Sequence, residues 1–326
     1  MNKLLEKEIF NATSQSFERT TLDVFRFQAE QNGVYKQYLK LLNVNPESIT
    51  NVFDIPFLPI SFFKTHNVYT HAQTPEKTFS SSGTTGAQIS KHPVASLPLY
   101  RKSFLKGFEL AYGSPKKYCF LALLPSYLER EGSSLVYMVD ALINESQLPL
   151  SGFFLNNYDE LIETLQILEQ SRQPTILIGV TFALLKLAKE HAIKFDSTIV
   201  METGGMKGRG KELVREELHS LLMHAFGVKA IHSEYGMTEL LSQAYSKGNG
   251  VFVTPPWMRV VARDPYDPLT VIPNDGSGAL NIIDLANLYS CSFIQTDDLG
   301  VINPDGTFEV TGRMDGSQIR GCNLLV

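Results

Sequence analysis

Cysteine is scarce. The 326 residues contain only Cys119, Cys291 and Cys322, far apart in the chain. That spacing excludes a disulfide framework and a cysteine zinc site, and it makes a reducing cytoplasm the expected setting. The seven histidines show no metal-ligand spacing, so no structural metal is expected. Runs of lysine and arginine are lacking too, and the formal net charge is -5, whereas a nucleic-acid binder needs a basic stripe. The most apolar stretch, "TILIGVTFALLKLA" from Thr175, is broken by polar residues and falls short of the roughly 20 residues a spanning helix requires. The opening "MNKLLEKEIF" carries charge where a signal peptide needs an apolar centre, so no export signal is expected. With 43% hydrophobic and 19% charged residues, the chain reads as an ordinary globular protein of one large domain or two smaller ones.

The patterning changes along the chain. Helical spacing dominates the first ~60 residues, as in "LDVFRFQAEQNGVYKQYLKLL", and "FDIPFLPISFFK" reads as a proline-marked connector. From Tyr118 to about Tyr245, short buried strands ("YCFLALL", "TILIG", "STIVME", "KAIHSEYG") alternate with amphipathic helices ("NNYDELIETLQILEQ", "GKELVREELHSLLMHAF"). Such alternation predicts a parallel sheet with covering helices. After Pro255 the segments "MRVVAR", "LTVI", "ALNIID", "CSFIQT", "GVIN" and "TFEVTGR" stand between Pro, Asn, Asp and Gly, which predicts an antiparallel β-module. The expected architecture is α/β over about residues 1–254, with a smaller β-rich subdomain over about 255–312.

Five stretches carry candidate chemistry. "FSSSGTTGAQ", Phe79 to Gln88, crowds hydroxyls and glycines together. It is either a surface loop or an anion cradle in which glycine freedom lets backbone N–H groups converge. "GMKGRGKE", Gly205 to Glu212, matches the Walker pattern except that Glu212 stands where a magnesium-binding Ser or Thr belongs, so a helix start complemented by Glu212 is the better reading. "SEYGMTEL", Ser233 to Leu240, reads as a strand ending at Tyr235–Gly236 and a helix beginning near Met237. Either it is a capped turn, or it offers Tyr235, Thr238 and Glu239 to a base, a phosphate and Mg²⁺. In "IQTDDLG" the acids Asp297 and Asp298 either solvate a turn or receive ribose hydroxyls from a strand end. In the tail "TGRMDGSQIRGCNLLV", Cys322 is either a small buried hydrophobe or a thiol whose thiolate Arg320 favours.

Taken in order, these stretches resemble the adenylate-forming superfamily of acyl- and aryl-CoA ligases, luciferases and peptide-synthetase adenylation domains. The S-S-G-T-T-G loop stands at Ser81 to Gly86, the Y-G-x-T-E turn at Tyr235 to Glu239, the T-G-D-L-like strand end at Thr296 to Leu299, and the G-R-x-D hinge at Gly312 to Asp315. The likeness covers most of the chain from about Pro59 onward. Within the superfamily, "GGMK" and "QIRGCNLLV" resemble segments of the acyl-protein synthetase (LuxE) family, with phenylacetate-CoA ligases as relatives.

The resemblance implies an adenylating core over 1–312 and a hinge-like motif with a short tail over 313–326, without the usual C-terminal lid domain. It implies ATP-dependent activation of a carboxylic acid, expected to be fatty, as acyl-AMP, followed by transfer to a thiol. Ser81, Ser82, Gly83, Thr84, Thr85 and Gly86 would hold phosphates. Tyr235 with Gly236 would meet adenine, and Gly204 and Gly205 would line the same pocket. Thr238 would touch phosphate, Glu239 would bind Mg²⁺, and Asp298 and Arg313 would fix the ribose. Cys322 would accept the acyl group; CoA, a carrier protein or a reductase are the alternative acceptors. Two departures stand out. The lysine that usually follows the phosphate loop is missing or displaced to Lys91, and the chain stops eleven residues after Asp315, before the usual catalytic lysine. Lys64, Lys91 and Lys207 are the candidate substitutes. "LLPSYLEREGSSLVYMVDAL" lines the acyl pocket by analogy. The competing readings are a nucleotide-binding subunit without catalysis and an acyltransferase that works from CoA without ATP.

Overall fold

The structure is a computed structural model that describes residues 2–71, 73–81, 88–124, 132–155, 157–191, 193–204, 213–273 and 275–314. The chain divides into two compact units. One comprises Met1–Ser103, Thr238–Ser242 and Val253–Val326; the other comprises Phe104–Met237 and Gln243–Phe252.

In the first unit, helices Asn2–Phe10, Phe17–Gln31 and Gly33–Leu41 bury one face each. Asn32 separates the last two, and its side chain accepts from the Val34 and Tyr35 amides while donating to the Ser290 carbonyl at 2.9 Å. Gln28 likewise donates to the Asn287 and Leu288 carbonyls, so buried amides dock the helical layer on the β-module. The strand β1 (Leu58–Pro59) runs parallel to β14 (Phe293–Ile302). A separate hairpin pairs β2 (Lys77–Ser80) with β3 (Lys91–Val94). The module itself is an antiparallel set in the order β12 (Val271–Ile272), β11 (Met258–Arg263), β13 (Gly276–Asp284), β14 and β15 (Phe308–Arg313).

The second unit holds the parallel sheet. β5 (Gly152–Phe154), β4 (Cys119–Leu123), β6 (Thr175–Val180), β7 (Thr198–Thr203) and β8 (His232–Tyr235) lie side by side in that order. β4 and β6 are buried at every position, as expected of continuous apolar strands covered on both faces. The crossovers carry helices Ser134–Ser146, Tyr158–Gln170, Thr181–Glu190 and Arg215–Phe226. Acidic first turns at Asp159–Glu160 and Glu216–Glu217 complement the helix dipoles. β9 (Ala244–Ser246) then pairs antiparallel with β8, and β10 (Val251–Val253) follows. The mixed α/β class with its antiparallel β-module is the one that the patterning predicts.

Two local expectations change. No helix begins at Met237: Gly236 to Gln243 form turns and irregular backbone that lead into β9. The reason is that distant side chains take up the Thr238 and Glu239 carbonyls and the Leu241 and Ser242 amides, groups that a helical ladder would need. Likewise, Asp297 and Asp298 lie inside one continuous strand, β14, rather than in a turn between two. Asp298 sits directly opposite Arg313 on β15, and the register shifts only at Leu299/Gly300.

Candidate active site

Glu239 lies in the short stretch Thr238–Ser242 by which the chain passes through the first unit. Three buried side chains hold this stretch by its backbone. His92 Nδ1 donates to the Thr238 carbonyl at 2.7 Å, and Asn287 Nδ2 donates to the Glu239 carbonyl at 2.7 Å. The Asp284 carboxylate accepts from the Leu241 and Ser242 amides at 2.8 and 3.0 Å and from the Ser242 hydroxyl at 2.6 Å. Ser242 also links to the Ser103 hydroxyl and the Trp257 indole. The Glu239 side chain is itself 5% exposed, and burial raises its pKa. The Ser90 hydroxyl, its own backbone amide, and the charges of Arg313 and Lys64 oppose that rise. A carboxylate so placed is short of water, and a further cation brought against it would favour its charged form.

Ser90 precedes β3 of the hairpin and His92 lies on it; the hairpin's mouth is closed by the Ser81 amide donating to the Ser90 carbonyl at 3.0 Å and the Ser90 amide donating to Ser81 Oγ at 2.9 Å. Of the hydroxyl-rich loop, Ser81 is thus a hairpin residue; Ser82, Gly83, Thr84, Thr85 and Gly86 lie outside the described residues. Lys64 is exposed on the short helix Phe62–Thr65, where Gln88 Nε2 donates to its carbonyl at 2.9 Å. Lys91 is exposed on β3. Asp298 and Arg313, chosen from separate motifs, face each other across β14 and β15, with Arg313 Nε 3.9 Å from Asp298 Oδ1 and Nη2 3.9 Å from Asp297 Oδ2.

In the second unit, Gly204 follows β7 with φ 68°, the left-handed region that glycine adopts without strain, and Thr181 donates to its carbonyl at 2.7 Å. Tyr235 ends β8 with its ring 5.8 Å from that of Phe252. Gly236 follows in the open, where any side chain would collide with Glu234 Oε1. Beneath these ends lies a buried acidic pair. Glu234 accepts from Thr203 Oγ1 at 2.6 Å, and its carboxyl is pushed up to about 7, mainly by burial and further by Glu202. Glu202 accepts from Thr181 and has His219 Nε2 3.7 Å away.

Gly205, Lys207, Cys322 and the Walker-like stretch lie outside the described residues. The other two cysteines are buried. Burial raises the Cys119 thiol despite its bond from Ser151, and pushes Cys291 up to about 12. His92, Ser90, Asn287 and Asp284 were not singled out by the sequence. The one hint was Asp284 itself, an acid closing the apolar run "ALNIID".

Residues 130–326 match the family described as acyl-protein synthetase, LuxE, which is more than half of the chain. The chain belongs to the LuxE acyl-protein synthetase family. No curated protein matches this LuxE-family chain by sequence. Among solved structures it resembles 2-hydroxyisobutyryl-CoA ligase, in an open conformation with 2-HIB-AMP and CoA, with TM-score 0.63 and 13% identity over 92% of this chain and 70% of that one. ATP-bound MatB from Rhodopseudomonas palustris gives TM-score 0.55 at 16% identity, over 72% of this chain and 47% of that one. The chain thus spans about half the length of the MatB structure it matches. At such identities the likeness carries the fold alone. No described helix is long and apolar enough to cross a membrane.

Proposed function

We propose that this LuxE-family protein activates a carboxylic acid, expected to be a fatty acid, with ATP and passes the acyl group to a thiol. The observation that carries the reading is the family match over 130–326, which takes in Gly204, Gly205, Tyr235 to Glu239, Asp298, Arg313 and Cys322. In the first step a carboxylate oxygen attacks the α-phosphorus of ATP; the new P–O bond forms as the bond to the β-phosphate breaks, giving acyl-AMP and pyrophosphate. In the second a thiolate attacks the acyl carbon; the C–S bond forms, AMP leaves, and the thiol proton goes to solvent.

The residues fit Mg²⁺ on their donor chemistry. Glu239 is one buried carboxylate, and no group of three or more His, Cys, Asp or Glu forms a metal site among the described residues. Mg²⁺ takes one or two carboxylates and completes its shell with water and substrate phosphates. When bound, it would neutralise charge on the phosphate oxygens. Glu239 would hold it, and Thr238 would orient a phosphate. Asp298 and Arg313 would bind the ribose from their cross-strand position, with Tyr235, Gly236, Gly204 and Gly205 toward adenine and Ser81 to Gly86 toward the phosphates. With Arg313 given to the ribose, Lys64, whose charge also acts on Glu239, is the described cation proposed to offset charge in the first step. Cys322 is the proposed acceptor, because a thiolate is the reacting form and burial raises both Cys119 and Cys291.

Pyrophosphate exchange across a panel of fatty and aromatic acids tests the first step. Exchange that depends on both ATP and an acid is expected, and none with any acid refutes the reading. For the second step, labelled acid and ATP should give a hydroxylamine-labile adduct that survives Cys119→Ala and Cys291→Ala and vanishes in Cys322→Ser. Label retained in Cys322→Ser would move the acceptor to CoA, a carrier protein or a reductase.

A further inference from the structure

The stretch Thr238–Ser242 forms neither helix nor strand, so its backbone needs partners from elsewhere. It finds them in side chains far away in sequence, each fully buried: His92 on β3, Asp284 at the end of β13, and Asn287 in the 3-10 turn Leu285–Asn287. Asp284 and Asn287 come from one corner of the β-module. His92 comes from the β2–β3 hairpin.

The hydrogen bonding fixes the chemistry of His92. The Thr238 carbonyl can only accept, so Nδ1 carries the proton and Nε2 presents a lone pair. Asn287 is fixed in the same way: its Nδ2 donates to both the Glu239 and Cys291 carbonyls. The two side chains also meet each other, since the Asn287 side chain hydrogen-bonds the His92 ring. A fold that commits two fully buried polar side chains to the carbonyls of one short turn fixes that turn's position. The His92 ring also meets Phe63 edge-on at 5.5 Å, on the helix that carries Lys64. Ser90, two residues before His92, lowers the Glu239 carboxyl by a side-chain hydrogen bond. One short segment, Ser90 to His92, therefore touches the backbone before Glu239, its carboxyl group, and the helix of Lys64.

We propose that His92 and Asn287 are positioning residues that hold the Thr238–Glu239 turn at a fixed place against the β2–β3 hairpin. The inference rests on the ligase reading of Glu239 and adds to it the means by which that carboxylate is placed. Neither residue touches substrate; each acts through a carbonyl of the turn. Loss of the clamp should lower turnover more than it weakens nucleotide binding, because a misplaced charge loses its effect on the reacting centre while most binding contacts remain.

The test pairs His92→Phe, which keeps a ring against Phe63 but removes the donor, with His92→Gln, which can still donate to the Thr238 carbonyl. Deuterium uptake by peptides spanning 236–243 is measured on the full chain, beside kcat for pyrophosphate exchange and KM for ATP. In His92→Phe, uptake in that segment should quicken by about tenfold or more while other peptides keep their protection. kcat should fall by about 10- to 100-fold with KM within about threefold. His92→Gln should recover most of both. Asn287→Ala should give the same signature and serves in place of His92→Phe if that variant does not fold. Unchanged uptake overturns the clamp, and so does faster uptake with unchanged kcat. If the wild type exchanges no pyrophosphate with any acid, the ligase reading fails, and the uptake measurement alone still decides whether His92 holds the turn.

Discussion

Glu234 and Glu239 stand five residues apart in the chain, and both are buried, yet their surroundings differ in sign. Glu234 lies in β8 beside the like charge of Glu202 and a threonine hydroxyl, and burial, with Glu202 adding to it, takes its carboxyl up to about 7. Glu239 stands in a turn held from outside, and the charges of Arg313 and Lys64 oppose the rise that burial imposes. Burial alone therefore does not mark a reacting carboxyl. Burial raises both, but the neighbouring charges differ in sign: Arg313 and Lys64 join Ser90 and the Glu239 amide in opposing the rise at Glu239, whereas Glu202 adds to the rise at Glu234. In this reading Glu239 serves chemistry and Glu234 serves the strand ends.

The sharpest way to break that contrast is to neutralise each carboxyl in turn. Glu239→Gln is expected to slow ATP–pyrophosphate exchange by on the order of 10²-fold or more, the scale of losing one group aimed at transition-state charge. Glu234→Gln, which keeps shape and a neutral charge, should change it by less than about fivefold. Equal losses would erase the distinction.

A smaller effect is expected at the cross-strand pair. Arg313 is 67% exposed and reaches Asp298 only at 3.9 Å, so the pair contributes little to stability, about 0–1 kcal/mol. If the two receive the ribose, Arg313→Ala should raise KM for ATP by about tenfold, the worth of one charge-assisted hydrogen bond, and leave kcat within about threefold. A loss confined to kcat would take Arg313 away from the ribose.

What the sequence could and could not convey divides along contact order. β4, β6 and β7 are legible because each is a run of buried apolar residues whose length alone makes it a strand. The run from Thr175 that resembles no membrane span is β6 followed by helix Thr181–Glu190. The turn at Met237 is misread because a strand followed by a Thr-Glu pair is a local signature of a helix start, whereas the outcome is set by Asp284 and Asn287, some 40 residues downstream. The acids of β14 are misread for the same reason: paired aspartates favour a turn until Arg313 lies opposite. Gly300 helps keep the strand continuous, since a side chain there would strike the Glu309 carbonyl and Leu280. His92 carries no local signal at all. It is one histidine in a short strand, and only the long-range bond to Thr238 gives it a role.

The finest prediction concerns pH and separates the two carboxyls without any assay of activity. Glu234 has an ordinary value of 4.5 and rises to about 7 in the folded protein, so between those values the native form keeps a proton that the unfolded chain has released. Stability from this group is therefore fully present below about 4.5 and declines as pH rises through about 7, by at most about 3 kcal/mol. Glu234→Gln removes the cost of an anion in that pocket and should raise the urea midpoint at pH 8 while leaving it nearly unchanged at pH 4.5. That limit already includes the Thr203 hydroxyl, which opposes the rise in part. A variant no more stable than the wild type at pH 8 would mean that Glu234 is charged and satisfied there, and the difference in sign between the two carboxyls would be gone.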